Sequence, residues 1–166
     1  MQISNFGDFA FIGLGSNLGS TIGSPRENIL EAIRRLEKLS DDPLIISSLQ
    51  ETAPVDCPPG SPDFINAVVA LLPQQDETAE SLLQAMQRIE SSMGRVRSGL
   101  HNEARIIDLD LLLFHEQQVN TDELIVPHQG MLDRKFVMEP LAEILEKDEV
   151  QKVKTFIKKN SAKKRS

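Results

Sequence analysis

The chain has 166 residues, 40% hydrophobic and 26% charged, the make-up of one globular domain with enough apolar side chains for a core. No run approaches the roughly 18 apolar residues of a membrane span, and residues 1–8 lack the basic and apolar regions of a secretory signal, so a cytoplasmic protein without membrane contact is expected. The formal charge is −7, but residues 147–166 hold 8 of the 18 Lys and Arg; residues 1–146 keep ten basic and 23 acidic residues, a net of −13, which disfavours a role in wrapping nucleic acid.

Residues 9–14 (F-A-F-I-G-L) read as a buried first strand that runs into the glycine-rich turn Gly13-Leu-Gly-Ser16-Asn17-Leu-Gly19. The glycine spacing is neither a dinucleotide fingerprint nor a P-loop, which leaves Ser16 and Asn17 as weak candidates to bind phosphate or orient a loop. Ser24-Pro25 with Glu27 is the expected start of a helix, whose core stripe is Ile29, Ile33, Leu36 and Leu39. Residues 44–51 form a second strand. A loop over 52–62 follows, too rich in proline for any regular element and suited to binding. It contains Cys57, the only cysteine, which excludes an internal disulfide and fits a reducing compartment.

Residues 63–72 read as a third strand in which Asn66 breaks an apolar pattern, either as a satisfied structural amide or as a ligand contact. A helix over 78–93 buries Leu82, Leu83, Met86 and Ile89 and ends at Gly94; Gln87 and Glu90 lie a turn apart on it. A polar loop, 95–104, leads into the strand 105–114 (R-I-I-D-L-D-L-L-L-F). Side chains alternate along a strand, so Asp108 and Asp110 leave on one face, roughly 6–7 Å apart. Two readings stay open there: a polar outer face on an edge strand, or a pair of hard oxygen ligands for Mg²⁺ shared with a phosphate chain. Arg88, Arg95, Arg97, Arg105, Arg134 and Lys135 are six of the ten basic residues in 1–146, and their convergence would create an anion site on an acidic body. Residues 131–145 are expected to be mostly helical, kinked or restarted at Pro140, and 147–166 to be a frayed basic extension outside a domain of 1–146. The order β-α-β-β-α-β is that of a ferredoxin-like α+β fold, an antiparallel sheet with helices on one face and a helical C-terminal extension; the other face then lies free for a site carrying Asp108 and Asp110.

Several stretches, in one order and at consistent spacings, resemble the 6-hydroxymethyl-7,8-dihydropterin pyrophosphokinases of the folate pathway. They are G-L-G-S-N-L-G (13–19), E-T-A-P (51–54), P-D-F-I-N (62–66), Q-R-I-E-x-x-x-G-R-V-R (87–97), R-x-x-D-L-D-x-L-L-F (105–114), V-P-H (126–128) and R-x-F-x-x-x-P-L (134–141). The resemblance implies an enzyme that transfers the β,γ-diphosphate of ATP to the pterin hydroxymethyl group and releases AMP. It implies Asp108 and Asp110 as ligands of two Mg²⁺ ions, and Arg95 and Arg105 as holders of the departing and transferred phosphates. Gln87, Glu90, Arg97, His128 and Arg134 would contact ATP. Phe64 and Phe136 would sandwich the pterin ring, with Asn66 and groups near Thr52 and Val55 reading its edge. Small-molecule partners and a monomer are expected.

The chain departs from the family's pattern at His101-Asn102-Glu103-Ala104, at Gln129 and near Glu123, where a basic residue is usual. The altered 101–104 run leaves a non-catalytic pterin- or nucleotide-binding relative as the alternative. A ferredoxin-like RNA-binding module is a third reading, against which the acidic body and the carboxylate pair count.

Overall fold

The computed structural model describes residues 2–53, 59–60, 62–95 and 105–164, with side chains as far as residue 160. Along these residues run β1 (Ala10–Ser16), α1 (Pro25–Leu36), β2 (Ile45–Ile46), β3 (Gln50–Thr52), β4 (Phe64–Leu71), α2 (Ala79–Ser92), β5 (Asp108–Phe114), β6 (Val119–Asn120), β7 (Ile125–Val126), α3 (Lys135–Ile144) and α4 (Lys147–Lys164). β4 pairs antiparallel with β2 and β3 along one edge and with β1 along the other, and β1 pairs antiparallel with β5. With α1 between β1 and β2 and α2 between β4 and β5, this is the expected ferredoxin-like arrangement. β6 and β7 form a separate small hairpin.

The second expected strand is split in two, and Ser47 is the cause. Its backbone N–H still donates to Val68 O (3.0 Å), but its hydroxyl, not a carbonyl, accepts from Val68 N–H (2.9 Å). Next to it, Ser48 N–H turns to the Glu143 carboxylate on α3 (2.8 Å). At the other end of the first strand, β1 continues through Gly15 and Ser16, so the glycine-rich run expected as a turn is in its first half sheet.

Local signals fix the two crossover helices. Ser24 and Glu27 form a capping box at the start of α1, and Thr78 and Ser81 form one at the start of α2, each typically worth about 1 kcal/mol. Gly94, with φ of +95°, takes the left-handed position that ends α2. Ile29, Ile33 and Leu36 of α1 and Leu82 and Met86 of α2 pack on Ile12, Leu14, Val69, Leu71, Leu109 and Leu111, one face of the sheet. At about 1.5–3 kcal/mol for each large apolar side chain buried, this layer is the main source of stability.

The C-terminal extension lies on the second face, which is therefore free over only one half. Met131, Val137, Leu141 and Ile144, followed by Val153 and Ile157 of α4, cover Phe11, Val68, Ala70, Leu112 and Leu113. α3 runs through Pro140 without restarting. The expectation of a frayed segment from residue 147 is corrected for its first turns: α4 is helical from Lys147, and Val153 and Ile157 are buried. Val150, Val153, Phe156 and Ile157 are the helical stripe that anchors it. Glu149, buried on α4, accepts from Phe6 N–H (2.7 Å) and pairs with Lys152 (3.2 Å), while Ile3 exchanges backbone hydrogen bonds with Ile144 and Glu146. Among the described residues no helix is long and apolar enough to cross a membrane.

Candidate active site

The uncovered half of the second face is a row of aligned positions. Directly opposite one another across β5, β1, β4 and β3 stand Asp108, Gly15, Asn66 and Gln50; one step along, Asp110 faces Gly13. Opposed residues of antiparallel strands point the same way, so Asp108, Asp110 and Asn66 share this face with Phe64, and the glycines leave the floor between them bare. Strands lie about 4.8 Å apart, so Asp108 and Asn66, two strands apart, are separated by roughly 10 Å. A β-bulge in β5 next to Phe11 and Ile12 inserts Leu112, which keeps Asp110 on the open face while Leu113 turns into the core.

At the acidic end, four charged side chains interlock. Arg95 Nη1 donates to Asp108 Oδ1 (2.8 Å) and also pairs with Glu90 Oε2; Arg105 Nη1 approaches Asp108 Oδ2 at 3.1 Å. Glu90, only 4% exposed, also accepts from Leu109 N–H (2.8 Å), between the two aspartates on the edge strand. It thereby fixes both the strand edge and the arginine. Burial draws the Arg95 guanidinium down, but Asp108 and Glu90 outweigh it and hold it above its ordinary value. Burial, and then the Asp108 carboxylate, push the Asp110 carboxyl up to about 7, against the pull of Arg134 and Arg105. The Asp108 carboxylate therefore opposes ionisation of Asp110, an unfavourable concentration of negative charge that a cation relieves.

At the other end, Asn66 Nδ2 donates to Thr52 Oγ1 (2.6 Å), and a methyl placed on Gly15 would lie 3.2 Å from Asn66 Oδ1 and 3.6 Å from the Phe64 ring. Thr52, Phe64 and Asn66 thus form one cluster. Phe136 lies at the start of α3, with the Arg134 guanidinium 5.8 Å from its ring centre. His128 follows β7, and its N–H donates to Leu112 O (2.9 Å) on the bulge beside Asp110. Gln87 is exposed beside Arg88, Ser91 and Ser92, on the outer side of α2. Of the six basic residues expected to converge, Arg95 and Arg105 meet at Asp108 and Arg134 acts electrostatically on Asp110. Val55, Cys57, Arg97 and the 101–104 run lie outside the described residues.

Sequence reasoning undervalued the end of β1. Ser16 Oγ donates to Ile106 O (2.5 Å), Asn17 Oδ1 accepts from Arg105 N–H (2.7 Å), and Asn17 and Leu18 N–H both donate to Arg105 O (3.0 and 3.1 Å). This stretch grips the backbone ahead of the aspartates. The signal was the adjacency of two short polar residues to two glycines at a strand end, but their partners are some 90 residues away in sequence.

Residues 11–146 match the family model described as 7,8-dihydro-6-hydroxymethylpterin-pyrophosphokinase. The chain is similar to proteins named 2-amino-4-hydroxy-6-hydroxymethyldihydropteridine pyrophosphokinase from three bacteria. It is 37% identical over 136 residues to that of Haemophilus influenzae, covering 81% of this chain and 80% of the relative. Identity is 41% over 128 residues to that of Pseudomonas aeruginosa, 76% of each chain. To that of Bacillus subtilis it is 36% over 144 residues, 86% of this chain and 81% of the relative. With the match spanning the sheet, both crossover helices and every described site residue, the chain belongs to the 7,8-dihydro-6-hydroxymethylpterin-pyrophosphokinase family.

Proposed function

We propose that this protein transfers the β,γ-diphosphate of ATP to the hydroxyl of 6-hydroxymethyl-7,8-dihydropterin and releases AMP, in tetrahydrofolate biosynthesis. One observation carries the reading: a carboxylate pair with two arginines and an amide–aromatic cluster share one bare half of a sheet face, separated by Gly15. A triphosphate suits the first, a flat hydrogen-bonding ring the second, and the glycine floor lets the two meet.

The acidic end fits Mg²⁺. Asp108 and Asp110 offer hard oxygen donors, and the upward push on Asp110 marks a site short of positive charge. Mg²⁺ keeps several water and phosphate ligands, so two carboxylates would suffice to hold it beside a triphosphate. Asp108 and Asp110 would hold the metal, two ions by the family resemblance. When bound it supplies neutralisation of the triphosphate at the reacting phosphorus.

The chain's own residues do the positioning. Glu90 and Asp108 hold the Arg95 guanidinium, and Asp108 the Arg105 guanidinium, beside the carboxylate pair, from where both would turn to phosphate. Arg97, His128 and Arg134 complete the nucleotide side, while Gln87, on the outer side of α2, would reach ATP only at the rim. Phe64 and Phe136 stack the ring, each aromatic contact adding about 0.5–1.5 kcal/mol beyond burial, while Asn66, Thr52 and Val55 read its edge. The pterin oxygen forms its bond to the β-phosphorus as the bond to the bridging α,β-oxygen breaks. AMP leaves with that oxygen, and the hydroxyl proton passes to water. Holding both reactants in this line is the larger share of the catalysis.

Incubation with ATP, Mg²⁺ and hydroxymethyl-dihydropterin is expected to yield AMP only when the pterin is present. Pterin binding without AMP would overturn the transfer reading.

A further inference from the structure

The glycine-rich run carries a buried amide to which the reaction as described gives no role toward either ligand. Asn17 is 2% exposed and directly follows β1. Its carboxamide bonds at both ends to segments distant in sequence. Oδ1 accepts from Arg105 N–H (2.7 Å), and Nδ2 donates to Pro62 O (3.4 Å). Its own N–H returns to Arg105 O (3.0 Å), so Arg105 is held as a backbone partner would be held in a sheet. Pro62 lies two residues before Phe64. Arg105 lies three before Asp108 and pairs with it. One short planar group therefore touches the backbone leading to the ring cluster and the backbone leading to the acidic cluster. Few side chains can do this: a carboxylate has no donor, a hydroxyl has too little reach, and only an amide offers both in one plane.

We propose that Asn17 is a positioning residue that fixes the ring side and the phosphate side of the site in one frame, so that the pterin hydroxyl and the β-phosphorus arrive in register. This rests on the diphosphate-transfer reading above. Ser16 is the built-in control. Its hydroxyl donates to Ile106 O (2.5 Å) on the acidic side and accepts from Asn28 Nδ2 of α1 (3.5 Å), and among the described residues it has no hydrogen bond to Pro62. A purely structural amide would cost stability and leave the two ligand affinities unchanged or lowered alike. A shared frame instead makes the two neighbouring variants differ in which ligand they lose.

The test measures binding of fluorescent 6-hydroxymethylpterin and of the Mg²⁺ complex of α,β-methylene-ATP, each in the presence of the other, with melting curves for every variant. Asn17→Ala is expected to raise the pterin Kd about tenfold and the nucleotide Kd about threefold or more, and to lower kcat beyond either. Ser16→Ala is expected to raise the nucleotide Kd and leave the pterin Kd within about twofold. The isosteric Asn17→Asp keeps the acceptor toward Arg105 and loses the donor toward Pro62, so it too raises the pterin Kd about tenfold. A folded Asn17→Asp or Asn17→Ala with a normal pterin Kd overturns the proposal, as does a Ser16→Ala that loses both ligands equally. If the unaltered protein binds both ligands but forms no AMP from ATP, the transfer reading fails, while the binding comparison still decides the role of Asn17.

Discussion

The second face of the sheet is two surfaces on one ladder. On the half under α3 and α4, the strands present Phe11, Val68, Ala70, Leu112 and Leu113, all at most 1% exposed. On the open half the same strands present Gly13, Gly15, Asn66, Phe64, Asp110 and Asp108. The change falls within one step on the three strands: Phe11 gives way to Gly13 and Leu112 to Asp110 at one level, and Val68, which stands opposite Gly13, gives way to Asn66 at the next. The ladder is interrupted near that line, by the bulge at Leu112 on β5 and by the break at Ser47 beside Val68, so the halves differ in side chains and in local backbone pairing. Large apolar groups on one half provide stability, and the other half holds carboxylates whose mutual repulsion opposes folding. The lesson is that the covered half sustains the uncovered one, and each can be damaged without the other.

The sharpest break on the open side is Asp110→Ala. It removes a site charge and no core contact, so turnover is expected to fall by at least about 10³-fold while the melting temperature holds or rises. Near-normal Mg²⁺-dependent turnover would show that the pair does not hold the metal. On the covered side, Phe11→Ala should cost about 3–5 kcal/mol of stability, measured by urea unfolding, and leave the KM values of the remaining folded protein nearly unchanged. A large change in KM without loss of stability would show that the two halves are not separable.

The open half was partly legible in the sequence because strand period is two: Asp108 and Asp110 had to share a face whatever the fold. The helix starts at Ser24 and Thr78 were equally local, each needing only a cap and its partner three residues on. What sequence could not supply was contact across distance. Glu90 looks like any carboxylate on a helix, and only the structure shows it turned inward onto Leu109 N–H and Arg95. Asn66 was open between structural amide and ligand contact, and its bond to Thr52 explains its tolerance in an apolar strand. α4 was read by its lysines, when Val153 and Ile157 decide its packing. The split of the second strand followed from Ser47, whose hydroxyl is silent until a neighbouring N–H is beside it.

The repulsion on the open half gives a pH signature. The folded protein, with Asp110 up at about 7, holds that proton more tightly than the unfolded chain, where an Asp titrates near 3.9. Stability from this group is therefore complete below about 4 and is lost as the pH rises through about 7. Without metal, the melting temperature should fall across that window, and Asp110→Asn should flatten the fall and melt higher at pH 8, by about 1–2 kcal/mol once the partial exposure of the carboxylate is allowed for. A variant with an unchanged pH profile would mean that the carboxylate is well solvated. A smaller effect belongs to the ring cluster: Phe64→Ala should weaken pterin binding about tenfold and ATP binding less than about twofold. Equal losses would contradict stacking.

The finest test separates the two glycines on the floor. A methyl on Gly13 would meet the Leu112 side chain at 3.5 Å, an ordinary contact at the border with the covered half, so Gly13→Ala should leave pterin affinity within about twofold. A methyl on Gly15 would stand 3.2 Å from Asn66 Oδ1 and 3.6 Å from the Phe64 ring, inside the space between ring cluster and carboxylates. Neither glycine has a positive φ, so alanine imposes no backbone strain at either position, and the comparison isolates the space above the strand. Gly15→Ala should raise the pterin Kd about fivefold by crowding the ring against its reading amide, with a melting temperature close to that of the unaltered protein. If both variants bind pterin normally, the ring does not lie over this floor, and the bare glycines serve only the close pairing of β1 with its neighbours.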